Sequence, residues 1–482
     1  MGRVKPGLRA ERRRRHLVGC VMALYALLIF EGALRKWLLP EFSQWLFFVR
    51  DPLLLWAYVY GWRHGLWPRR SGWLALALGM ALLGALLVPV QAATGGDSAW
   101  RWLLGAYGWR AYFLYIPLAF LVGATFTQSD LWRLARWTLW LLPPVALLVA
   151  AQFYAPLDAP INVGSAVDAG QQFRGLGQTG ERTRPMGLFA SGAGQQQFVA
   201  AGCALLLAAS ITPAARRRVG SVTLVAATLA LLACLAFSGS RGTVLQCALS
   251  VLGALALVAA SRSGRTKWRA VTLPLVAVAA GLLLAPWLLD DGVAALGQRW
   301  AAASAAEAGF SGGIFGRALF GLVDFTRLVG DVPLLGYGLG FGGNASITLK
   351  ASVDGVLPGQ LAETDFARHM VDLGPVMGIG FIAFRAGLVA WLALCVWRAS
   401  RRSPDPWAML LFSYAGYLLL LGQVTGQGTI NGYGWLFAGL CIAACRHAQA
   451  GPVRAPALSH QPAAARAPRW RSAPSQVARV HP

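Results

Sequence analysis

Residues 331–344 read DVPLLGYGLGFGGN, and residues 363–380 read ETDFARHMVDLGPVMGIG. Both close a polar segment, residues 290–370, that two strongly apolar runs frame. A loop of this length inside a chain of apolar runs is more than a connector, because long loops carry function on a scaffold. We read it as the lid of a site at one membrane face, with apolar helices as its frame.

The rest of the chain is read outward from that loop. Hydrophobic residues make up 56% of the 482 positions and charged residues only 13%, where soluble domains carry about a quarter charged. Mean hydropathy is +0.53. The expected fold is therefore all-α, a polytopic integral membrane protein of about twelve transmembrane helices with one large and one medium outer loop. The expected spans are 17–34, 45–62, 72–93, 109–126, 137–154, 193–213, 219–237, 244–261, 270–289, 371–397, 407–422 and 433–445. The medium loop is 155–192. A basic head (1–16) and a Pro/Ala/Arg-rich tail (446–482) flank the membrane domain (17–445), both read as disordered.

The net charge of +24 would point to nucleic acid in a soluble protein. Here most Lys and Arg cluster in alternate short connections, in the head and in the tail, accompanied there only by the acids Glu11, Asp130 and Asp405. That is the positive-inside pattern and places both termini in the cytoplasm. The partner it implies is the membrane lipid, not nucleic acid. The seven cysteines all fall in apolar runs without zinc-ligand spacing, as small packing residues do.

Charges inside apolar runs cost at least about 2.5–3.5 kcal/mol unless paired. Glu31 and Arg35 have the i,i+4 spacing of a same-face ion pair. Arg50 and Asp51 are adjacent and cannot face each other on a helix, so each is expected to find a partner on another helix or to mark a break. Arg110 and Arg385 invite the same reading, or snorkelling.

Arg241, in Ser238-Gly-Ser-Arg-Gly-Thr243, ends a span among small residues that leave a guanidinium and backbone accessible, a suitable donor set for phosphate. Arg184 stands in the medium loop with Arg174 and Arg182. The large loop holds Arg299, Arg317, Arg327, Lys350 and Arg368 beside Glu363, Asp365 and His369. Arginines and carboxylates there suit an anionic lipid head and a general base; ordinary solvated charge accounts for the others. Gly374 and Gly378, four apart, read as helix packing. No Walker loop, HExxH, Cys/His metal pattern or G-x-S-x-G elbow is present.

In order, RPMGLFASGAGQQQF (184–198), SGSRGT (238–243), PLLGYGLGFGG (333–343) and ETDFARHMVDLGPVMGIGF (363–381) resemble the O-antigen ligase/polymerase superfamily of bacterial membrane glycosyltransferases. The resemblance covers about 184–381. It implies a GT-C-like enzyme of the inner membrane that transfers an undecaprenyl-pyrophosphate-linked glycan, on the periplasmic face, to a hydroxyl of a glycan or lipid acceptor. No cofactor, nucleotide sugar or metal is implied. Its phosphate-binding arginines map to Arg241 and Arg317, with Arg184 matching the first loop. Ligases carry His-Asn about eleven residues before the glycine that opens the next span. That register here holds Glu363 and Thr364, so Glu363 stands where the base would be, with Asp365 or His369 as alternatives. The departure favours a surface-polysaccharide polymerase over a lipopolysaccharide ligase. A transporter or flippase, or a non-catalytic partner in polysaccharide assembly, are the readings from other classes.

Overall fold

The computed structural model describes residues 6–94, 99–164, 175–176, 182–212, 214–260, 264, 268, 271–272, 276, 289–306, 314–343, 346, 362 and 364–450. Glu363, Arg174 and Lys350 lie outside the described residues, as do the side chains of Arg299 and Arg317 and most of the expected span at 270–289.

The fold is all-helical with almost no strand. In chain order the helices are α1 (Pro6–Ala33), α2 (Arg50–Arg63), α3 (Gly72–Thr94), α4 (Ala99–Trp109), α5 (Ile116–Thr125), α6 (Gln128–Tyr154) and α7 (Gly192–Ile211). They continue with α8 (Ser221–Phe237), α9 (Arg241–Ala260), α10 (Asp290–Ala306), α11 (Ile314–Val323), α12 (Asp365–Arg402), α13 (Trp407–Leu421) and α14 (Gly428–Ala450). Two-residue strands, β1 (Gly175–Leu176) and β2 (Arg182–Thr183), pair antiparallel in the medium loop. Among the described residues six helices are long and apolar enough to cross a membrane: α1, α3, α6, α7, α12 and α14, with α8, α9 and α13 apolar but shorter. They are consistent with a multi-pass membrane protein.

Buried side chains of α5, α7, α13 and α14 make the centre of the core, with Trp407, Trp435, Tyr414 and Phe198 among them. Exposed Leu82, Leu83, Leu86, Val222 and Val376 lie on the outer faces of their helices, as expected where the surrounding solvent is apolar.

Hydrogen bonds divide the bundle into two ends. At one end Arg14 of α1 pairs with Asp130 of α6 at 2.5 Å and donates to Thr125 O at 3.1 Å. Arg446 and His447 of α14 donate to the carbonyls of Ala124 and Phe126, the latter 2.9 Å from His447 Nε2. Gln128 donates to Asp405 at 3.1 Å. Basic residues and the tight connections 126–127 and 403–406 gather here. At the other end the long loops meet. Lys36, just past α1, donates to Gly187 O at 2.8 Å, and Trp37 to Pro160 O at 3.2 Å. Arg182 pairs with Asp291 of α10 at 2.8 Å, tying the medium loop to the large one.

Several boundaries differ from the sequence reading, each for a local reason. The head is helical from Pro6, because Glu11 pairs with Arg14 (2.9 Å) and Arg15 (2.7 Å) on the helix surface. Helix α14 runs through Ala450, so the first residues assigned to the tail are ordered helix. The span expected at 45–62 is a short turn followed by α2. That expected at 109–126 is α4, a wide π turn at Arg110–Leu114, and α5. Helix α12 starts at Asp365, earlier than 371, and kinks at Gly374, whose φ of 74° no other residue type adopts cheaply, just before Pro375. Gly374 thus makes a break against the backbone of Leu334 and Gly336.

The charges within apolar runs are paired. Glu31 meets Arg35 at 3.3 Å and Arg50 at 2.6 Å. Asp51 turns the other way, to Arg110 (Nη2 at 3.0 Å) and to the Tyr115 hydroxyl at 3.3 Å. Arg50 also donates to Gly428 O at 3.1 Å, so this cluster ties α1, α2, the π turn and α14 together.

Candidate active site

The site is built where the long loops converge, and it has two parts. The first is the start of α7. Its 20 residues begin at Gly192 after Ser191, which makes no side-chain cap and whose carbonyl accepts from Gly194 N at 3.1 Å. The positive end of the helix dipole lies at this turn. Arg184 lies against this turn: a Cβ at Gly192 would stand 3.8 Å from its Nε. The SGSRGT turn also packs beside the start of α7. A Cβ at Gly242 would stand 2.7 Å from Gln196 Nε2, so the start of α9 lies beside the first turns of α7.

Arg241 is the first residue of α9 and half-buried. The turn before it is shaped by Gly239 (φ 53°) and by Ser238 Oγ, which accepts from Ser240 N at 3.2 Å. Ser240 Oγ accepts from Thr243 N at 3.4 Å and caps the helix. The structure therefore sets Arg184 against Gly192, and the turn that carries Arg241 against Gln196, both at the start of α7. Gln195, in the same first turn, is buried, and among the described residues nothing accepts from its Nε2.

The second part is the start of α12. Thr364 caps it, accepting from Ala367 N at 3.2 Å and donating to the buried Asp324 at 3.2 Å. Glu363 directly precedes that cap. Asp365 receives Arg368 at 2.7 Å, Arg385 at 2.6 Å and the Thr425 hydroxyl at 2.8 Å. Arg385 also donates to Leu419 O at 2.8 Å and Gly422 O at 3.1 Å.

Since a guanidinium only donates, His369 Nε2, 2.7 Å from Arg385 Nη1, is an acceptor. Its proton sits on Nδ1 and goes to the Tyr112 hydroxyl at 3.0 Å, which donates on to Asp372 at 3.0 Å. Asp372 completes the chain by accepting from Gly342 N at 2.7 Å. Every one of these side chains on α12 is buried, and His369 is fully so. Asp365 and His369 thus lie together as an inner brace, Asp365 directly after the Thr364 cap and His369 just over one turn further on. No lone pair on His369 is left for an acceptor hydroxyl. Arg317 lies on α11, with its side chain outside the described residues.

The brace holds the glycine-rich motif. Arg368 Nε donates to Gly342 O at 2.8 Å, and Tyr337 N to Val371 O at 2.8 Å. Gly336, Gly338 and Gly340 all have positive φ (72°, 136°, 85°), which lets the loop fold back on itself between α4 and α12. Gln91 of α3 clamps it, donating to Leu335 O and to Asp372 O (2.8 Å) and accepting from Leu339 N at 2.9 Å.

Gln91, Tyr112 and Asp372 are absent from the sequence reading. Asp372 had a signal, since Asp365, Arg368, His369 and Asp372 follow the i, i+3, i+4, i+7 rhythm of one helix face. Gln91 and Tyr112 had none.

At the opposite end Asp405 lies in the link between α12 and α13. Burial pushes its carboxyl up to about 6, against the hydrogen bonds from Trp407 N and Gln128 that favour its charged form.

No model of a known protein family matches the chain, and no curated protein matches its sequence.

Proposed function

We propose that this chain is a membrane glycosyltransferase of the O-antigen ligase/polymerase type. It moves an undecaprenyl-pyrophosphate-linked glycan onto an acceptor hydroxyl at the periplasmic face of the inner membrane, and polymerase action is favoured over ligation. The reading includes a GT-C-like arrangement of about twelve spans with both termini cytoplasmic. The segregation of basic connections to one end of the bundle and long loops to the other supports that orientation.

The observation that carries the proposal is the meeting of the Arg184 and Arg241 motifs at the start of α7. Two arginine-bearing turns at the positive end of a helix are suited to receive a pyrophosphate. In the proposed step the acceptor oxygen attacks the anomeric carbon while the bond from that carbon to the pyrophosphate oxygen breaks. The electron pair leaves with the lipid pyrophosphate, whose charge Arg184, Arg241 and the positive end of α7 stabilise, with Arg317 as a further donor. The acceptor proton goes to Glu363. The brace of Asp365, His369, Asp372 and Arg385 fixes the start of α12, which follows that base in the chain.

A transport reading would call for uncompensated polar groups lining a path. Arg50, Asp51, Arg110 and Arg385 are each held by a carboxylate or guanidinium partner instead.

The deciding experiment is the surface-glycan profile of a deletion strain, complemented by wild type or by Arg241→Ala. Collapse of a polymer ladder to single repeats marks a polymerase. Polymer left on its lipid carrier marks a ligase. In both cases Arg241→Ala fails to rescue, and full rescue would overturn the proposal.

A further inference from the structure

The turn that follows α1 buries a charge that no carboxylate answers. Lys36 stands in Leu34–Leu38, a wide π turn, a form rare in helices and frequent at functional sites. The adjacent Arg35 and Lys36 are both buried there. Arg35 turns to Glu31 and to Ser43 O at 3.0 Å. Lys36 turns to the medium loop and donates to Gly187 O at 2.8 Å. We infer that Lys36 is a third cation for the pyrophosphate, drawing the same anion as Arg184 and Arg241. The inference rests on the glycan-transfer reading and adds to it a binding residue from the start of the chain.

Three observations carry it. The first is charge balance. Among the described residues the other buried cations are each paired: Arg35 and Arg50 with Glu31, Arg110 with Asp51, Arg368 and Arg385 with Asp365. Lys36, 4% exposed, meets no carboxylate among them. Its other neighbour is the Trp37 ring, with Nζ 4.3 Å from the centroid, whose face attracts a cation without neutralising it. Lys36 also lies within the apolar stretch Gly7–Leu38, where a charge without a counter-charge is costly to keep.

The second is redundancy. Gln152 already holds Gly187 at both its N–H and its carbonyl, accepting from Gly187 N at 2.7 Å and donating to Gly187 O at 3.3 Å. The turn 184–187 is therefore anchored without an ammonium, and a neutral donor would serve the carbonyl as well. The fold alone gives no reason for a buried charge at this place.

The third is position. Gly187 follows Arg184 in the same short turn and lies beside Gln195 of α7, since a Cβ on it would stand 3.7 Å from Gln195 Cγ. Arg184 meets the same helix at Gly192, and these two positions of α7 differ by about 4.5 Å of helix rise. The end of α1 is pressed onto this segment, because a Cβ at Gly32 would stand 2.3 Å from Ala190 N. A charge walled by protein is poorly screened, so Lys36 acts on an anion at that helix end without touching it.

The test uses the purified full-length protein in detergent together with the deletion strain. Farnesyl pyrophosphate serves as the probe, a pyrophosphate on a short isoprenoid, and its effect on the melting temperature is measured. It is expected to raise the melting temperature of the wild type. Lys36→Met and Lys36→Gln should each cut that shift several-fold and lower the polymer yield in the strain several-fold. Lys36→Met removes an unpaired charge and should itself melt at or above the wild-type temperature. Lys36→Gln keeps a donor for Gly187 O and loses the charge, so it decides alone where Lys36→Met fails to reach the membrane. An unchanged shift in Lys36→Gln, no shift in the wild type, or an equal shift with phosphatidylglycerol overturns the inference. Full polymer from Lys36→Gln where Arg241→Ala makes none also overturns it and leaves the transfer reading standing. Full rescue by Arg241→Ala, with the shift still lost in Lys36→Gln, sinks the transfer reading and leaves Lys36 as an anion-binding residue.

Discussion

His369 Nε2 stands 2.7 Å from Arg385 Nη1, and this single contact sets the tautomer of the imidazole and the direction of the whole chain to Gly342. The ring accepts on one side and donates on the other, which a glutamine can imitate and a phenylalanine cannot. His369→Phe should lower the melting temperature of the purified protein well below that of His369→Gln, since each buried group left unpaired costs roughly 1–3 kcal/mol. Equal melting of the two variants would show that the bonds carry no weight.

Asp365 is the one carboxylate between Arg368 and Arg385 among the described residues. Asp365→Asn leaves two buried cations facing an amide, and a broken buried pair costs about 3–5 kcal/mol. Arg385→Met made on top of Asp365→Asn should destabilise by much less than the same change in wild type. A double-mutant cycle in thermal or denaturant unfolding measures the difference, and strict additivity would contradict the pairing.

Arg241→Ala should abolish glycan transfer while the protein reaches the membrane at a normal level. Arg241→Lys should recover part of the activity, because a point charge keeps the attraction and loses the fork. The glycan ladder beside an immunoblot of the membrane fraction reads both, and Lys performing as well as Arg would argue for simple charge.

Asp405 predicts a pH dependence. Its folded-state pKa is raised to about 6 from an ordinary 3.8, so between those values the folded protein holds the proton that the unfolded chain has released. Its contribution is fully present below 3.8 and is lost as the pH rises through about 6. Asp405→Asn keeps an acceptor for Trp407 N and removes the charge. The variant should melt near the wild-type temperature at pH 4 and above it at pH 7. A parallel pair of melting curves across that range would remove Asp405 from the account.

The apolar runs that became α3, α7, α8, α9 and α13 were legible to within a few residues of the structural boundaries, because a membrane span declares itself by length and composition alone. Helix α6, by contrast, starts nine residues before the expected span at 137–154. Glu31 and Arg35 were legible for a similar reason, their spacing being local. What stayed hidden was tertiary. Nothing near Arg50 in the sequence says that it reaches back to Glu31 while its neighbour Asp51 reaches forward to Arg110. The π turn at Arg110–Leu114 and the kink at Gly374 arise where such long-range partners and the backbone of Leu334 press on a helix that composition alone would draw straight. In the candidate site the arginines were legible as residue types. The start of α7, which unites two of them, and the brace that runs through Tyr112 were not, because they exist only once the helices are side by side.

The carbonyls at the end of α5 have a consequence for how the chain is made. Ala124 and Phe126 are served by Arg446 and His447 of the last helix, more than 300 positions later. During synthesis α5 enters the bundle with its end unfinished and stays so until α14 emerges. Arg14 of α1 already serves Thr125 O, and the bonds to Ala124 O and Phe126 O are completed only when α14 is in place. A chain stopped short of Arg446, by a nonsense codon or a stalled ribosome, would keep nearly all its apolar surface and still present an open helix end, a mark by which quality control could tell a partial product from a finished one.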